Sequence, residues 1–298
     1  MLDGCYVLAV PFSGTLFTTR MYWVEVGEEM LVEMTKSVTE IFDTAPPTDS
    51  TETFEQLWSM MSGLADRVKA RFELELDPSV AELAAFGDPE GNRGMLTAFS
   101  GPKVDWMIHS WLGDPAAGFT NMHLTVWLGP DTNVPHLGMA WGTLPSLWCF
   151  IDLIPRADLL SNPEYVDRYY EPANEAYMAL KNDPGAPAFV SQDTFTRAGV
   201  SQSAFCTVLP NDAGRRAQIE ELANLRLDQW LGFLDAATPT TPEERPALAE
   251  RDLLIRKNIA ERDPANQLAE RFYGKELTNQ LIRSLWGGDR ALQRPTGS

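Results

Sequence analysis

The chain has 298 residues, 44% of them hydrophobic, with nine tryptophans, enough for a substantial core in one large domain or two smaller ones. Its 24 Lys and Arg face 42 Asp and Glu, a net charge of −18, which argues against nucleic acid or an anionic membrane surface as the main partner, because both need clustered cations. Three scattered cysteines, Cys5, Cys149 and Cys206, make neither a disulfide framework nor a CxxC metal site, and no apolar run reaches the roughly 18 residues of a membrane span.

In chain order, Tyr6 to Val26 reads as two strand-like runs, YVLAV and LFTTRMYWVEV, around a Pro-Phe-Ser-Gly turn. Residues 1–35 are accordingly expected to form a hairpin added to a sheet edge. Thr44 to Thr53 has the Pro, Ser, Thr and acid mix of a surface linker. A helix is expected from Phe54 to Arg71, where Phe54, Leu57, Trp58, Met61, Leu64, Ala65 and Val68 keep a helical period. Val104 to Trp111 and Asn121 to Leu128 alternate with period two; in the second run Met122, Leu124, Val126 and Leu128 share one face and His123, Thr125 and Trp127 the other. His136 to Trp141 and Leu147 to Ile154 are more uniformly apolar, as central strands covered on both faces would be. Phe195 to Arg197 and Ala204 to Leu209 are read as further strands. Ile219 to Leu234 then turns helical, the prolines at 239, 242 and 246 end that helix, and two more apolar stripes follow, through Leu248, Asp252, Ile255 and Ile259, and through Leu277, Leu281 and Leu285. A helix, a run of strands and then helices is the order of an α+β domain with a mainly antiparallel sheet. No boundary is visible, so residues 1–298 are read as one domain.

Few motifs carry chemistry by themselves. The stretch Gly87 to Gly94 is acidic and lacks the lysine of a phosphate-binding loop, so it reads as a turn. His109, His123 and His136 lack metal spacing, and no nucleophile signature is present. Asp152 interrupts an apolar strand and is either hydrogen-bonded in the interior or turned toward a ligand. Arg156 can hold a carboxylate bidentately, or form a clamp with Asp158. The tryptophans of the strand region, Trp106, Trp127, Trp141 and Trp148, can line a flat conjugated ligand or simply be core.

Val134 to Tyr170 joins a Pro-His pair, two apolar runs, IDLIPRADL and NPEYVDRYY. With VDWMIHSWL upstream and RDLLIRKNIAERD and RFYGKELTNQLI downstream, it resembles the red chlorophyll catabolite reductases, relatives of the ferredoxin-dependent bilin reductases. The resemblance runs from about Phe54 to Trp286. It implies a three-layer α/β/α sandwich with the ligand between the sheet and the C-terminal helices. It also implies a homodimer that holds no cofactor and reduces a linear tetrapyrrole, or a similar extended conjugated molecule, with electrons from reduced ferredoxin. The donors of that chemistry are carboxylic acids and histidines, because each added electron makes the substrate a stronger base. The resemblance places an essential aspartate at Asp263, which is otherwise a helix-ending residue before Pro264. It places a second carboxylate where this chain has Ala140, leaving His136, on the same strand, as the other proton donor or as a structural histidine satisfied in the interior. Arg156, Asp152, Trp141, His123 and Trp127 are the expected substrate contacts. Ferredoxin, itself acidic, would need a local basic cluster such as Arg67, Lys69 and Arg71, or Arg251, Arg256, Lys257 and Arg262. Ala140 also leaves room for an acid/base isomerase or cyclase, or a binding protein for a hydrophobic metabolite, on the same fold. With no secretory signal and no Arg/Ser-rich transit segment at the N-terminus, the expected location is the cytoplasm.

Overall fold

The computed structural model describes residues 46–88, 91–263 and 265–288. The hairpin expected at residues 1–35 lies outside the described residues. Helix α1 (Thr51–Phe72) buries Leu57, Met61, Leu64, Ala65, Val68 and Phe72, the stripe its sequence period requires. Its start is pinned. Ser50, within the stretch read as a surface linker, is buried, and both its N–H and its hydroxyl donate to the Pro115 carbonyl, at 2.8 and 3.0 Å.

Eight strands follow, all paired antiparallel. They are β1 (Glu75–Leu76), β2 (Phe86–Gly87), β3 (Arg93–Ser100), β4 (Val104–Asp114), β5 (Phe119–Leu128), β6 (His136–Leu144), β7 (Ser146–Ile154) and β8 (Phe205–Leu209). From β3 to β8 each strand lies beside its predecessor, and β1 and β2 both pair with the outer side of β3. The alternating runs are β4 and β5, and the uniformly apolar runs are β6 and β7. Between β7 and β8 the chain makes a long excursion through α2 (Pro163–Tyr169), α3 (Asn174–Lys181) and α4 (Thr194–Ala198). Both sheet edges are closed: two-residue strands cover β3, and Pro187 to Phe189 runs along β8, with the Val208 N–H donating to Pro187 O at 3.0 Å. Short, proline-bearing edges deter further strand pairing.

Two expectations need correction. Phe195 to Arg197 is not a strand; it lies in α4, because the Asp193 carboxylate accepts the Thr196 N–H at 2.6 Å and caps a helical turn there. Strand β3 was not foreseen, since only Leu96 and Ala98 of its alternate positions are clearly apolar.

Helices α1 and α5 (Ala213–Asp235) cover one face, burying Met122, Leu124, Val126, Leu137, Met139, Trp141 and Ile151 against Leu57, Met61, Ile219, Leu227 and Trp230. The other face carries a second, smaller core of Leu96, Ala98, Trp106, Ile108 and Trp127 under α6 (Arg245–Arg262) and α7 (Ala265–Leu285). The result is a three-layer α/β/α sandwich of the α+β class. Helix α7 breaks at Gly274, whose φ of 69° and ψ of 166° suit glycine alone.

Candidate active site

The strand register lays the α6/α7 side of the sheet out in four rows. Trp106, Trp127, His136 and Ile154 form the first; Ile108, Thr125, Gly138 and Asp152 the second. Ser110, His123, Ala140, Phe150 and Cys206 form the third, and Leu112, Asn121, Gly142, Trp148 and Val208 the fourth. The first two rows are almost wholly buried. In the third and fourth rows His123, Phe150, Cys206, Leu112, Asn121, Trp148 and Val208 all keep partial exposure. Helix α6 and the C-terminal part of α7 thus cover the first two rows and close that end. Phe272 and Tyr273 of α7 reach the far ends of β3 to β5, where the Tyr273 hydroxyl accepts the Gly113 N–H at 3.0 Å. The third and fourth rows toward β8 form the more open end.

The closed end is a charged network. Asp252 projects from α6, 3% exposed, and receives Arg156 Nη2 at 2.6 Å. His136 Nε2 lies 3.1 Å from the same carboxylate, while His136 Nδ1 accepts the Leu128 N–H at 2.9 Å. Nδ1 as acceptor fixes the proton of the neutral ring on Nε2, facing Asp252. Burial, assisted by the Arg156 charge, lowers the His136 pKa to about 4. Burial would raise the Asp252 carboxyl, but His136 and Arg156 outweigh it and hold it below its usual value. One turn further along α6, Arg256 Nη1 binds Asp105 at 2.7 Å and its guanidinium lies over the Trp127 ring, 4.8 Å from the centroid.

Three sequence expectations change here. His136, read as a proton donor or a structural histidine, is turned inward: Nδ1 accepts the Leu128 N–H and Nε2 faces Asp252 at 3.1 Å. Arg156 is committed to Asp252 and to the Gly129 and Thr132 carbonyls, not to Asp158, which instead accepts from Ser161. Asp152 is interior: its carboxylate accepts the Leu153 and Ser201 N–H groups, each at 2.8 Å, and the Ser201 hydroxyl. Burial nevertheless raises its pKa to about 6, against those bonds.

The open end is built differently. His123 stands directly between Ser110 and Ala140 in the strand register. Burial alone lowers its pKa to about 4, so the ring is neutral. Its side chain is still partly accessible, as a group facing an interior cleft would be. Asn121 follows on the same strand face, its Oδ1 shielded and without a partner. Across β6, Phe150 and Trp148 form an aromatic wall.

Of the remaining candidates, Trp127 belongs to the closed end. Trp141 lies on the opposite face of the sheet, its indole N–H donating to Leu57 O at 3.4 Å, so it is core beneath α1. Asp263 caps the C-terminus of α6, half-buried, three turns along from Asp252. The basic cluster on α1 is neutralised in place: Arg67 pairs with Asp228, Arg71 with Asp235 and Lys69 with Asp66. Arg256 is likewise lost from the second cluster. Asn121, Phe150 and Trp148 were not singled out as a group by sequence reasoning. The signal was the alternation His136-x-Gly138-x-Ala140-x-Gly142, which leaves the middle strand bare between two walls.

Comparison with known proteins supplies a family. The model of the red chlorophyll catabolite reductase (RCC reductase) family matches residues 57–286. Red chlorophyll catabolite reductase 1, chloroplastic, from Oryza sativa subsp. japonica is 26% identical over 245 residues, 74% of each chain. The chloroplastic red chlorophyll catabolite reductase of Arabidopsis thaliana is 25% identical, covering 76% of this chain and 78% of its own. The crystal structure of phytochromobilin synthase from tomato in complex with biliverdin superposes with a TM-score of 0.68, covering 82% of this chain and 86% of that one at 15% identity, a likeness of fold. The chloroplastic names of the relatives overturn the expected cytoplasmic location and point to a plastid.

Proposed function

Since this chain belongs to the red chlorophyll catabolite reductase family and is an oxidoreductase of that type, we propose that it reduces a linear tetrapyrrole or a similar extended conjugated molecule bound in the open end of the α6/α7 side of the sheet. The observation that carries the reading is the position of His123, Ala140 and Phe150 in one row: a neutral, partly accessible ring, a small residue and an aromatic wall beside each other. Electrons come singly from reduced ferredoxin, and the protein itself holds no redox cofactor. Each double bond reduced takes two electrons and two protons. Asp263 supplies one proton, since burial beside an apolar chromophore keeps a carboxyl neutral and able to donate. His123 faces the substrate from the sheet, and His136 and Arg156 hold α6 in place through Asp252.

Ferredoxin docks on the α6/α7 layer. With the buried Arg256 and Asp252 set aside, residues 245–285 carry seven basic against five acidic side chains, a small positive excess in a chain of net charge −18. The protein is a homodimer that uses a helical layer, since both sheet edges are covered; light scattering giving the mass of one chain at micromolar concentration would refute this. Ala140, where a carboxylate was expected, favours the second reading, a non-redox isomerase, cyclase or binding protein on the same pocket.

Mixing purified protein with a panel of linear tetrapyrroles, with and without reduced ferredoxin, tests the proposal. Donor-dependent bleaching is expected. A spectral shift that reduced ferredoxin leaves unchanged across the panel sinks the reductase reading in favour of binding alone.

A further inference from the structure

Strand β3 is well covered on one side only. Toward α7 its Leu96 and Ala98 are buried. Toward α1 its Met95, Thr97 and Phe99 stay half-buried, in register with Trp111, His109 and Met107 of β4. A helix about 10 Å across shields roughly two strands spaced about 4.8 Å apart. Helix α1 packs over β4, β5 and β6, and it extends the apolar face rather than closing it. Its Phe54 meets the Trp111 ring edge-on at 4.6 Å, and its Trp58 lies flat on His109, with ring centroids 4.2 Å apart and 2° between the planes. Phe54, Trp58, Met95, Phe99 and Trp111 are all half-buried, and through these contacts they join into one apolar surface. At its rim the Lys69 ammonium sits over the Phe99 ring, 5.0 Å from the centroid, and pairs with Asp66 at 2.6 Å. Contiguous accessible apolar surface of this kind marks an interaction site.

The chain itself supplies an occupant. Residues 1–45 precede the described structure, and the chain enters it at the Trp111 corner of this face. There the Ser50 N–H and hydroxyl hold the Pro115 carbonyl just past the end of β4, and Phe54 follows on Trp111. Residues 16–26, LFTTRMYWVEV, carry seven apolar side chains against one arginine and one glutamate, in a chain of net charge −18. Nineteen residues, 27–45, separate that run from the described chain. At about 3.3 Å each when extended, they reach far beyond the roughly 13 Å from Met95 to Phe99. A tether of this kind gives an effective concentration of about a millimolar, which outcompetes a second copy at micromolar concentration. We propose that residues 16–26 cover the α1-side face of β3 and β4, against Phe54, Trp58, Met95, Phe99 and Trp111. The run then lies on a face of the sheet, not at its edge as its sequence pattern alone implies. The inference does not rest on the reductase reading, because this face is on the side of the sheet away from α6 and α7.

The test is photocross-linking in the full chain at micromolar concentration, with p-benzoylphenylalanine in place of Phe99. Irradiation followed by peptide mass spectrometry is expected to join position 99 to a peptide from residues 16–26, in a product that keeps the mass of one chain. Met95→p-benzoylphenylalanine repeats the test if the first variant fails to fold by circular dichroism. Trp23→Glu in either background puts a charge against the aromatic face and should lower the yield of that product by at least about tenfold. Leu254→p-benzoylphenylalanine, at an exposed position on α6, should give no product with residues 16–26. A cross-linked pair of chains would assign the face to a second copy. A product with another segment, or none, would leave residues 16–26 elsewhere. Each of these overturns the proposal, as does a yield that Trp23→Glu leaves unchanged or an equal yield from position 254.

Discussion

The two ends of one sheet face, drawn from the same strands, carry polar groups of different kinds, ion pairs at one and neutral side chains at the other. At the closed end Asp252 pairs with Arg156 and lies 3.1 Å from His136, and Arg256 pairs with Asp105, all under α6. At the open end, some four residues further along each strand, Asn121 Oδ1 is buried without a partner and His123 is a neutral ring that keeps partial exposure. A buried polar group without a partner costs roughly 1–3 kcal/mol, and both ends carry such groups, Trp127 Nε1 and Arg256 Nε at one and Asn121 Oδ1 at the other. Charge is what separates them: ion pairs hold α6 to the sheet at one end, and neutral, partly accessible groups stand at the other. Substitutions at the two ends should therefore separate stability from activity.

The largest effect is expected at Asp263. Asp263→Asn keeps shape and hydrogen-bonding capacity but has no acidic proton, so turnover should fall by about 10²–10⁴ while chromophore binding and unfolding midpoint stay near wild type. Wild-type turnover in this variant would reduce Asp263 to a helix terminator. Asp252→Ala should show the reverse pattern. It strands Arg156 in the interior and frees one anchor of α6, and breaking a buried pair in this way costs about 3–5 kcal/mol, read as a lower urea midpoint. A loss below about 1 kcal/mol would mean that the network contributes little to cohesion.

Acid should act on stability through the histidines. His109, His123 and His136 are each held to about 4 when folded, against about 6.5 in an unfolded chain. Their folded values are depressed, so between pH 6.5 and 4 the unfolded chain takes up protons that the folded protein refuses, and stability falls as pH falls. Asp152 opposes this, since its folded value near 6 lets it hold a proton that the unfolded chain releases. The net uptake on unfolding is about two protons, so stability should drop by up to about 2.7 kcal/mol per pH unit near pH 5.5. Urea midpoints at pH 7.5, 6 and 5 that do not move would show that these rings are not buried neutral.

The smallest effect belongs to the α1/α5 seam. Arg67 and Arg71 are solvent-exposed partners of Asp228 and Asp235, and such pairs contribute about 0.2–1 kcal/mol. Reversing both arginines should shift the melting temperature slightly and leave the ferredoxin-dependent rate unchanged. Reversing Lys257 and Lys275 on the α6/α7 layer should slow that rate, chiefly at low salt. Slowing at the α1 pair instead would move the docking face.

Much of this was legible in the sequence because it is written in periodicity. Period two in β4 and β5, the apolar runs of β6 and β7, and the stripes of α1 and α5 each follow from burial on one or two faces. What periodicity cannot give is which long-range partner a buried charge finds. Arg156 reads as a free guanidinium at a strand end until α6 brings Asp252 to it across 96 residues. His136, next to a proline in an apolar strand, has the same appearance whether it donates to substrate or to Asp252. Trp141 differs from Trp127 only in strand parity, and register assigns it to the opposite core. Phe195 and its neighbours look strand-like because a five-residue helix fixed by one Asp193 cap has no room to show a period.

The most direct test of the contrast is an absorbance titration of biliverdin against wild type, His123→Leu and Asp252→Asn, each with its urea midpoint. The account predicts that His123→Leu weakens binding by about tenfold, the worth of one hydrogen bond to the ligand, with an unchanged midpoint. It predicts that Asp252→Asn lowers the midpoint and, below its transition, binds biliverdin as wild type does. Wild-type affinity in His123→Leu together with lost affinity in folded Asp252→Asn would place the ligand at the charged end and contradict it.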